Sequence, residues 1–587
     1  MQLGNGGTTG SIVGDVVNNA TLVFNRSDTY DFTGSISGTG LVTFTGDGKV
    51  NFSSPYEGPV AVDQAQVALE KGTVSSSPFT VNDGGRLGGT ATIGGLTVNE
   101  GGIAAPGYSP GTFTVKGAVA FNAGAVYQVD VTPEGAHDLI TATGPVTISR
   151  TATVEVQAQP GRYPGSSAMT ILSTTGTLTG AFGGVTSDYA FLDPTLTYDA
   201  QNVYLSLLYS GVDFVTYART SNEAGVAVAA QALGAGSSIY DTILGLPEGA
   251  VASAFNALSG EVYASVDTVL QQESIYVREA VGARLRQAAA GPDALARAAQ
   301  GSGPATARLS QDLDVTLWAH GYGGWGKSFG DGNAASIANS LGGFLIGADA
   351  AIGANAWAGV FGGFSQSSID VNARSSSATS DNYDVGFYVG GQFDAVALRG
   401  GFAYGWHDVS VSRSVAFSGF NETANGGYTL GTTQLFGEVG YDLSLGGYAF
   451  EPFAGLAYVN VGGASFSEGF KAAALSVDMA SMDTLYSTLG VRAAAAVELF
   501  GRTLTPRMTL GWQHAFGDIT SSAAMRFLGG DTPFQVTGAP VAVDALLLDA
   551  GVSYGLSDTA TLGVVYTGQF APSASQNAFT AQFSLRF

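Results

Sequence analysis

The sequence predicts a mainly β fold: a 12-stranded antiparallel transmembrane β-barrel at the C-terminus, preceded by a helical segment and an N-terminal all-β region. Three observations lead to this prediction. Apolar and polar residues alternate along the last part of the chain, helical spacing is confined to its middle, and short apolar runs between Gly and Asn turns fill its first part. These changes of pattern divide the chain into residues 1–210, 211–312 and 313–587.

Charged residues are scarce. Of the 587 residues, 12% are charged, 45% are hydrophobic and 85 are Gly, whereas an average soluble domain has about 25% charged residues. The net charge of −24 leaves no basic footprint, so no nucleic-acid partner is expected. The absence of Cys suits a chain that must pass unfolded through a narrow pore. No apolar run is long enough for a transmembrane helix, and residues 1–7 lack the basic start and apolar core of a signal peptide.

The last strand shows the alternation most clearly. In Asn577–Phe587, Phe579, Phe583 and Phe587 fall on one side of an extended strand, whereas Thr580 and Gln582 fall on the other. A soluble sandwich would direct the apolar side to its core. An outer-membrane barrel would direct that side to lipid and the polar side to its lumen.

The preceding residues repeat this alternation and favour the barrel. An even number of strands is typical of bacterial barrels, which close because lipid offers an edge strand no hydrogen-bond partner. In the fourth strand Val385 and Phe387 are expected to face lipid; longer loops are expected at Asn372–Asp381, Val411–Tyr428 and Glu468–Asp483. The candidate strands lie near residues 313–326, 337–352, 355–369, 381–395, 396–411, 429–445, 446–461, 484–499, 502–516, 541–556, 559–571 and 577–587.

The middle segment predicts helices. Thr220 begins one helix with capping residues, and Pro247 opens a second. Phe255–Gln287 has the spacing of an amphipathic helix, with cations near its C-terminal end, where the helix dipole favours them. Periodicity alone also permits an interdomain helical hairpin packed on itself. Ala288–Leu309, rich in Ala and Gly, is predicted to be a flexible connector.

The N-terminal region predicts short strands in a sandwich or a β-solenoid. His137 and Asp138 are adjacent, so they point to opposite faces of a strand and form no catalytic pair. No G-x-S-x-G motif is present, and the His residues of the barrel are isolated. We therefore expect no catalytic residue, no metal site and no cofactor, and predict that the protein is not an enzyme.

Several segments resemble one family, the autotransporters of type V secretion. Ala257–Ser265, A-L-S-G-E-V-Y-A-S, resembles the linker before their barrels, and the Phe-ended last strand is similar to their assembly signal. Tyr56–Gly72 resembles their passenger-associated repeat, and Ile103–Val115 resembles a passenger Pro-Gly-x-Ser-Pro-Gly turn. The resemblance implies a right-handed parallel β-helix passenger, ending in an autochaperone-like stalk, and a lumenal helix that tethers it and plugs the barrel.

The resemblance also implies site residues and partners. Outer-membrane lipid, the β-barrel assembly machinery, periplasmic chaperones and an unknown surface ligand are the expected partners of a monomer. We hypothesise that one or more arginines of the lumenal helix pair with lumenal carboxylates. The residues concerned are Arg278, Arg284 and Arg286 of the helix, Asp384, Glu438 and Asp442 as carboxylates, and Phe583, Leu585 and Phe587 as the assembly signal.

The expected function is that of an autotransporter in the outer membrane of a Gram-negative bacterium, which carries its own passenger to the cell surface. An adhesive or host-interacting passenger with a role in virulence is the default for such a β-helix. The alternative is a porin-like channel with an accessory N-terminal domain. Because the linker contains only Asn256 and no Asn pair, no self-cleavage of the Asn-pair type is predicted there.

Overall fold

The computed structural model describes residues 1–159, 161, 163, 168–289, 304–308, 315–445, 448–556 and 560–585. The chain forms two compact units. The first contains Met1–Tyr217, Gly234–Val251 and Ser418–Phe420, and the second contains Ala218–Leu233, Ala252–Phe417 and Asn421–Phe587. Within the described ranges, no helix has both the length and the apolar character that crossing a membrane requires.

The first unit is built of short strands that follow one another along the chain. They are β1 (Gln2–Gly7), β2 (Val16–Val17), β3 (Thr21–Arg26), β4 (Thr29–Phe32), β5 (Ile36–Ser37), β6 (Leu41–Thr45), β7 (Lys49–Phe52), β8 (Val60–Val62), β9 (Gln66–Val74), β10 (Pro78–Val81), β11 (Arg86–Ile93), β12 (Gly95–Val98), β13 (Ile103–Pro106), β14 (Thr112–Val115), β15 (Val119–Phe121), β16 (Val126–Val131), β17 (Leu139–Ala142), β18 (Val146–Ile148), β19 (Thr153–Ala158), β20 (Met169–Thr174), β21 (Leu178–Gly180), β22 (Gly184–Ser187), β23 (Leu192–Tyr198) and β24 (Asn202–Tyr209).

Parallel pairing of these strands produces a β-helix with three faces. One face has the order β1-β3-β6-β8-β10-β12-β15-β18-β21, and a second has the order β4-β7-β9-β11-β13-β16-β19-β22. The far ends of β9 and β11 continue into the third face, followed by β14, β17 and β20. The hairpin β23–β24 pairs antiparallel with β20. The predicted β-helix is confirmed, and the sandwich that composition also allowed is wrong.

Side-chain stacking between successive rungs holds this unit together. Phe24 and Phe44 are buried with stacked rings whose centroids are 4.9 Å apart. A polar ladder runs along the rungs: Asn82 donates to Asp63 at 2.6 Å, Asn99 donates to Asn82 at 2.6 Å, and Asn122 donates to Asn99 at 2.7 Å. An Asp or Asn recurs once per rung because each of these side chains forms a hydrogen bond with its counterpart in the adjacent rung.

The middle segment contains a 3₁₀ turn, Phe214–Tyr217, and four helices: α1 (Ser221–Ala232), α2 (Ser238–Leu244), α3 (Glu248–Leu258) and α4 (Glu261–Ala289). The hydroxyl of Thr220 accepts from the N–H of Glu223 at 3.2 Å and caps α1. Gly260 has a φ of +65° and separates α3 from α4, so the single helix predicted over Phe255–Gln287 is two helices.

The second unit contains the barrel. Its strands are β25 (Ala305–Arg308), β26 (Val315–Ser328), β27 (Ile337–Ile352), β28 (Ala356–Val371), β29 (Ser376–Phe393), β30 (Val396–Phe417), β31 (Phe420–Tyr441), β32 (Leu443–Leu445), β33 (Tyr448–Val461), β34 (Ser465–Ser467), β35 (Leu475–Met479), β36 (Met482–Ala495), β37 (Val497–Leu499), β38 (Arg502–Gly517), β39 (Ser522–Phe527), β40 (Phe534–Thr537), β41 (Asp544–Gly555), β42 (Ala560–Phe570) and β43 (Ala574–Leu585); a 3₁₀ turn covers Asn372–Arg374.

Twelve of the described strands form the closed barrel that the sequence predicted, in the order β26-β27-β28-β29-β30-β31-β33-β36-β38-β41-β42-β43, and β43 pairs with β26. Neighbouring barrel strands whose register is described pair antiparallel. Side chains alternate: Phe387 is 57% exposed on the outside, whereas the next residue, Tyr388, is 1% exposed on the inside. An apolar outer face and a polar inner face are what a membrane barrel requires.

The long connections differ from the prediction. Most of the loops expected at Asn372–Asp381 and Val411–Tyr428 are strand, because β29 already begins at Ser376 and only two residues separate β30 from β31. Their Ser, Thr and Asn content suggested loops, but the alternate residues, such as Val409 and Val411, are buried. Two other connections form a four-stranded loop sheet, with the order β34-β35-β39-β40.

The flexible connector predicted at Ala288–Leu309 is only partly described, because residues 290–303 and 309 lie outside the described ranges. Its described end is ordered: Ala305–Arg308 forms β25 and pairs antiparallel with Thr316–Ala319 of β26. For these four residues the prediction of a flexible connector is wrong, since backbone hydrogen bonds to the first barrel strand fix them.

Candidate functional site: the barrel lumen and its helix

Helix α4 lies inside the barrel. Its 29 residues give it a length of roughly 44 Å at 1.5 Å per residue, more than the thickness of the hydrocarbon core of a membrane. Polar residues on several sides of the helix are buried, among them Asp267, Gln271 and Glu273. A helix with polar residues all round is stable in such a place only where the surrounding wall supplies hydrogen-bond partners.

The first turn of α4 is bonded to the connections at one end of the barrel. The carboxylate of Glu261 accepts from Arg374 at 2.9 Å and from the N–H of Ala335 at 2.6 Å. Tyr263 donates its hydroxyl to Glu468 at 2.5 Å, and Arg413 donates twice to the same carboxylate, at 2.7 and 2.8 Å. Buried carboxylates therefore hold this end of the helix against three different connections.

The middle of α4 is hydrogen-bonded to uncharged side chains of the wall. Gln272 donates to Ser328 at 3.0 Å and accepts from Gln576 at 2.7 Å. Glu273 accepts from Asn339 at 2.9 Å and from Ser367 at 2.6 Å. These contacts reach β26, β43, β27 and β28, so the helix is bonded on both sides of the seam where the barrel closes.

Of the three arginines predicted to act in the plug, Arg284 forms the strongest contact with the wall. Its Nε and Nη2 donate to the two oxygens of Asp349 at 2.6 and 2.7 Å, and both side chains are buried. Asp349 also accepts from the hydroxyl of Tyr388 at 2.8 Å. The sequence analysis did not single out Asp349; its inward position in the alternation of β27 is the signal that could have found it.

The other two arginines have different surroundings. Arg278 donates to Ser274 on its own helix at 2.7 Å and to Gln434 of the wall at 3.0 Å. Arg286 lies 3.6 Å from Glu279, also on its own helix. Arg278 therefore contacts the wall through an amide of β31 rather than through a carboxylate.

The three carboxylates proposed as lumenal partners lie on the inner wall. Glu438 pairs with Arg399 at 2.7 Å and with Arg492 at 2.7 Å, both from the barrel itself. Both arginines also pair with Glu451, at 2.8 and 2.6 Å. This four-residue network braces β30, β31, β33 and β36, and Glu451 and Arg492 were not anticipated from the sequence.

The remaining two carboxylates have different neighbours. Asp442 accepts from Gln392 at 2.8 Å. Asp384 is buried and lines a small cavity together with Glu273 and His407. Asp442 also contacts Glu451 of the Glu438 network, whereas Asp384 lies apart from it, and the role of each carboxylate as a partner of the helix stays a prediction.

The predicted assembly signal lies on the last strand. Phe583 is paired with Leu562, and Leu585 with Ala560, in the backbone register of β42 and β43. Phe587 lies outside the described residues, as do the side chains of Phe583 and Leu585. The alternation that suggested the signal continues to Phe579, which is 53% exposed on the outer face.

The helix leaves little free space beside it. Two cavities of about 100 and 110 Å³ border α4. Both are lined by Glu279, Arg286, Arg492 and Asp549, so charges of both signs face the space that remains. A barrel with a helix bonded along its lumen differs from an open channel.

Comparison with known proteins agrees with this geometry. Residues 317–567 match the Autotransporter beta-domain family model. A protein of Serratia marcescens named Extracellular serine protease is 30% identical over 632 residues, which cover 98% of this chain and 59% of that protein. The Adhesin BmaC autotransporter of Brucella suis biovar 1 (strain 1330) is 39% identical over 101 residues, 17% of this chain and 3% of that protein.

Among solved structures, the translocator domain of the autotransporter NalP from Neisseria meningitidis has a TM-score of 0.40 and 17% identity, covering 55% of this chain and 99% of that chain. The closed barrel and its family match define a translocator of the outer membrane. Residues 317–567 belong to the Autotransporter beta-domain family; the barrel is anchored in the outer membrane, and the passenger is exposed at the cell surface. The porin-like alternative is not favoured.

One prediction needs correction. The expectation that the protein is not an enzyme is contradicted by the name of the Serratia marcescens relative, Extracellular serine protease. That expectation came from the absence of a catalytic motif, which says nothing about regions that such relatives have and this chain does not match. The chain spans 59% of the length of this relative.

Proposed function

We propose that the barrel exports the passenger that precedes it and then retains it at the cell surface, with α4 as the last transported segment. The observation that supports this proposal is the position of α4. One chain runs from a β-helix through a helix inside the lumen and into the first strand of the same barrel. This path is expected if the N-terminal region is exported through the barrel of the same chain.

The two ends of the barrel support an orientation for this path. Short turns such as Gly353–Asn355 and Asp394–Ala395 join strands at one end, and the loop sheet lies among the connections of the other. Bacterial barrels direct short turns to the periplasm and long connections outward. Glu261, bonded to Arg374 in a connection, then marks the external end of α4, and Ala289 marks its periplasmic end.

Protease treatment of intact cells tests this proposal. We expect an added protease to remove residues 1 to about 250 and to spare the barrel, because lipid and closed pairing protect the strands. Cells lysed before treatment are the control for access. Complete resistance of the β-helix in intact cells, with digestion after lysis, would place the passenger inside the cell and contradict the proposal.

The activity of the passenger is a second question, and the relatives support two answers. The name of the Serratia marcescens protein supports proteolysis, and the partial match to an adhesin supports binding of a surface ligand. Within residues 1–319 the sole histidine is His137. Its ring nitrogens lie 2.9 Å from the carbonyl of Gly135 and 3.0 Å from that of Thr170. A Ser–His–Asp triad in this range would have to use His137.

Casein hydrolysis and cell binding by the full chain separate these answers. We propose that the β-helix acts as the stalk and ligand-binding surface of the exported protein and that His137 has only a structural role. Hydrolysis by the parent chain that is lost in both His137→Ala and His137→Gln, while the protease resistance of the β-helix stays unchanged in both variants, would contradict a purely structural role.

The partners of export are also proposed. We infer that the β-barrel assembly machinery binds the last strand through Phe583, Leu585 and Phe587, that periplasmic chaperones carry the unfolded chain, and that the protein works as a monomer. The alternation of this strand supports recognition by strand pairing. Replacing the three residues by Ser is expected to lower the amount of folded barrel, whereas Ser at Thr580, Gln582 and Arg586 is expected to leave it unchanged.

A further inference from the structure

Three glycines of the lumen wall face bulky side chains of α4. Gly426 of β31 faces Tyr263, Gly324 of β26 faces Tyr276, and Gly390 of β29 faces Leu285. A Cβ added at Gly324 would lie 2.9 Å from Cζ of Tyr276, and one added at Gly390 would lie 2.7 Å from Cδ2 of Leu285. At Gly426 the added carbon would lie 3.2 Å from Cζ of Tyr263 and still closer to its hydroxyl. We call these positions the glycine sockets.

Backbone conformation does not explain these glycines. None of the three has a positive φ, so an L-residue could adopt the same backbone angles. At each position the neighbouring atoms leave no room for a side chain. By contrast, Gly321, on the same strand as Gly324, has nothing within 4 Å of an added Cβ. The three sockets are therefore positions at which a side chain would meet the helix, whereas Gly321 lies on the outer face of the strand.

The helix residues cannot easily turn away from the sockets. Tyr263 is fully buried, and its hydroxyl is bonded to Glu468. Tyr276 is stacked on Tyr322 with ring centroids 5.9 Å apart. Leu285 belongs to a buried apolar cluster between the helix and the wall. Each side chain is held by further partners, so an added methyl group would have to move the helix.

The sockets lie at different depths along the barrel axis and on different strands of the wall. Tyr263 and Leu285 are 22 residues apart, which is roughly 33 Å along a helix. Strands β26, β29 and β31 lie in different parts of the barrel circumference. A shift of α4 by about one turn, four residues, would bring Gln272 or Ala280 to the socket of Tyr276. Only one depth and one rotation of the helix therefore fill all three sockets.

We propose that the glycine sockets at Gly324, Gly390 and Gly426 recognise Tyr276, Leu285 and Tyr263 and set the depth and rotation at which the exported chain comes to rest in the barrel. This inference rests on the proposed export function. It assigns a positioning role to glycines of the wall, and it explains why the helix stops at one register in the lumen.

The first test is the conductance of the full chain in planar lipid bilayers. Gly324→Ala is expected to raise the fraction of time in an open state by about tenfold, the result of overpacking one contact. The double variant Gly324→Ala/Tyr276→Ala removes the clash with the helix and keeps only a 3.0 Å approach to the carbonyl of Asn577, so it is expected to return towards the parent value. Gly321→Ala, on the outer face of β26, is the control for an added methyl group that cannot meet the helix, and it is expected to behave as the parent does.

The second test reports the depth of the helix directly. Thr268 of α4 and Ser521 have hydroxyl oxygens 3.4 Å apart, and the chain contains no native Cys. A Thr268→Cys/Ser521→Cys variant is expected to form a disulfide in the parent background. The yield is expected to fall in Gly324→Ala and in Gly390→Ala, and to recover with Tyr276→Ala and Leu285→Ala respectively.

The outcomes separate this inference from the export function. Folding is followed by the shift in gel mobility on heating. Single variants that fold, conduct and cross-link as the parent does would overturn the glycine sockets, as would compensating doubles that fail to fold. Single variants that fail to fold while the doubles recover would support them. A parent chain that displays no passenger on cells would instead contradict the export function.

Discussion

At the scale of single residues, Asp138 is a buried carboxyl in a corner of the β-helix. It accepts from the N–H of Gly111 at 2.7 Å and from the N–H of Asp130 at 2.9 Å, and its residue is 1% exposed. Burial raises the pKa of this carboxyl from 3.8 to about 7, although both N–H groups favour the ionised form. The neighbouring residue, His137, points the other way, to the surface.

The stability of the β-helix is therefore expected to depend on pH. The folded state holds the proton of Asp138 more tightly than the unfolded state, so its contribution is fully present below pH 4 and is lost as the pH rises through about 7. The free energy of unfolding should fall with pH in this window by at most about 1.4 kcal/mol per pH unit. Proteolysis of the passenger in urea at pH 5 and pH 7.5 measures this difference in the free energy of unfolding.

Asp138→Asn is the control for this prediction. The amide cannot ionise, and it can accept only one of the two N–H groups, so the variant is expected to be less stable at pH 5 and to lose the pH dependence. If the stability of Asp138→Asn depended on pH as that of the parent does, another titrating group would be the cause of the pH dependence.

The buried ion pair between Arg284 and Asp349 gives a second prediction. Removing one member of such a pair leaves an uncompensated charge and is expected to cost about 3–5 kcal/mol of unfolding free energy. Arg284→Ala and Asp349→Ala should each destabilise the barrel, and the double variant should cost less than their sum. Arg284→Lys, which loses the two-pronged geometry, should be intermediate.

Tryptophan fluorescence during urea unfolding in detergent micelles measures these variants. All five Trp residues lie in barrel strands, and Trp318 donates to Tyr388, which in turn donates to Asp349. Costs that simply add in the double variant would show that Arg284 and Asp349 do not act as a pair.

At the scale of elements, α1 is hydrogen-bonded to β40, the edge strand of the loop sheet. The side chain of Asn222 donates to the carbonyl of Thr537 and accepts from its N–H, both at 2.9 Å. Gly225 lets the helix approach, since an added Cβ would lie 3.3 Å from Cβ of Phe534. The side chain of Asn222 thus satisfies the backbone of β40 in place of another strand.

Asn222→Ala is expected to release α1. The variant leaves the half-buried N–H and carbonyl of Thr537 without these bonds, a loss of about 1–3 kcal/mol. Hydrogen exchange of the amides in Ser221–Ala232 should become faster by about tenfold or more, while that of the barrel strands stays unchanged. Val228→Ala, at a position of α1 that is 48% exposed, is the control. Equal exchange in both variants would contradict a docking role for Asn222.

At the scale of the whole molecule, the scarcity of charge follows from the fold. The outer barrel face carries apolar residues such as Val360 and Leu435, both about 60% exposed, and the inner face carries buried ion pairs such as Arg399–Glu451. Lipid is the solvent that makes such an exposed apolar face stable. The net charge of −24 is carried by residues outside this apolar surface.

Removal of the lumenal helix is expected to convert the plugged barrel into an open channel. Deletion of residues 1–289 takes away α4 and its bonds to the wall, whereas deletion of residues 1–217 removes the β-helix and leaves α4 in place. In planar bilayers the first variant should conduct far more than the full chain, and the second should remain close to it. A large open channel in the full chain would favour the porin-like alternative.

The sequence predicted the barrel more fully than the lumen. Alternation identifies strands and their faces because side chains on a strand point to opposite sides whatever the neighbours are. It therefore placed Val385 and Phe387 outside and Asp384 inside. It misplaced the ends of β29, β30 and β31, because Ser and Thr in strands that extend beyond the apolar surface resemble loop residues.

By itself the sequence determined that this protein has twelve alternating strands, a helical segment before them and a rung-like N-terminal region, since those features depend on local periodicity. Only the tertiary structure decided which residues meet: that Arg284 pairs with Asp349, that Glu438 belongs to a wall network with Arg492, and that Gly324 faces Tyr276. The depth of a helix inside a barrel brings these residues together, and no spacing along the chain encodes that depth.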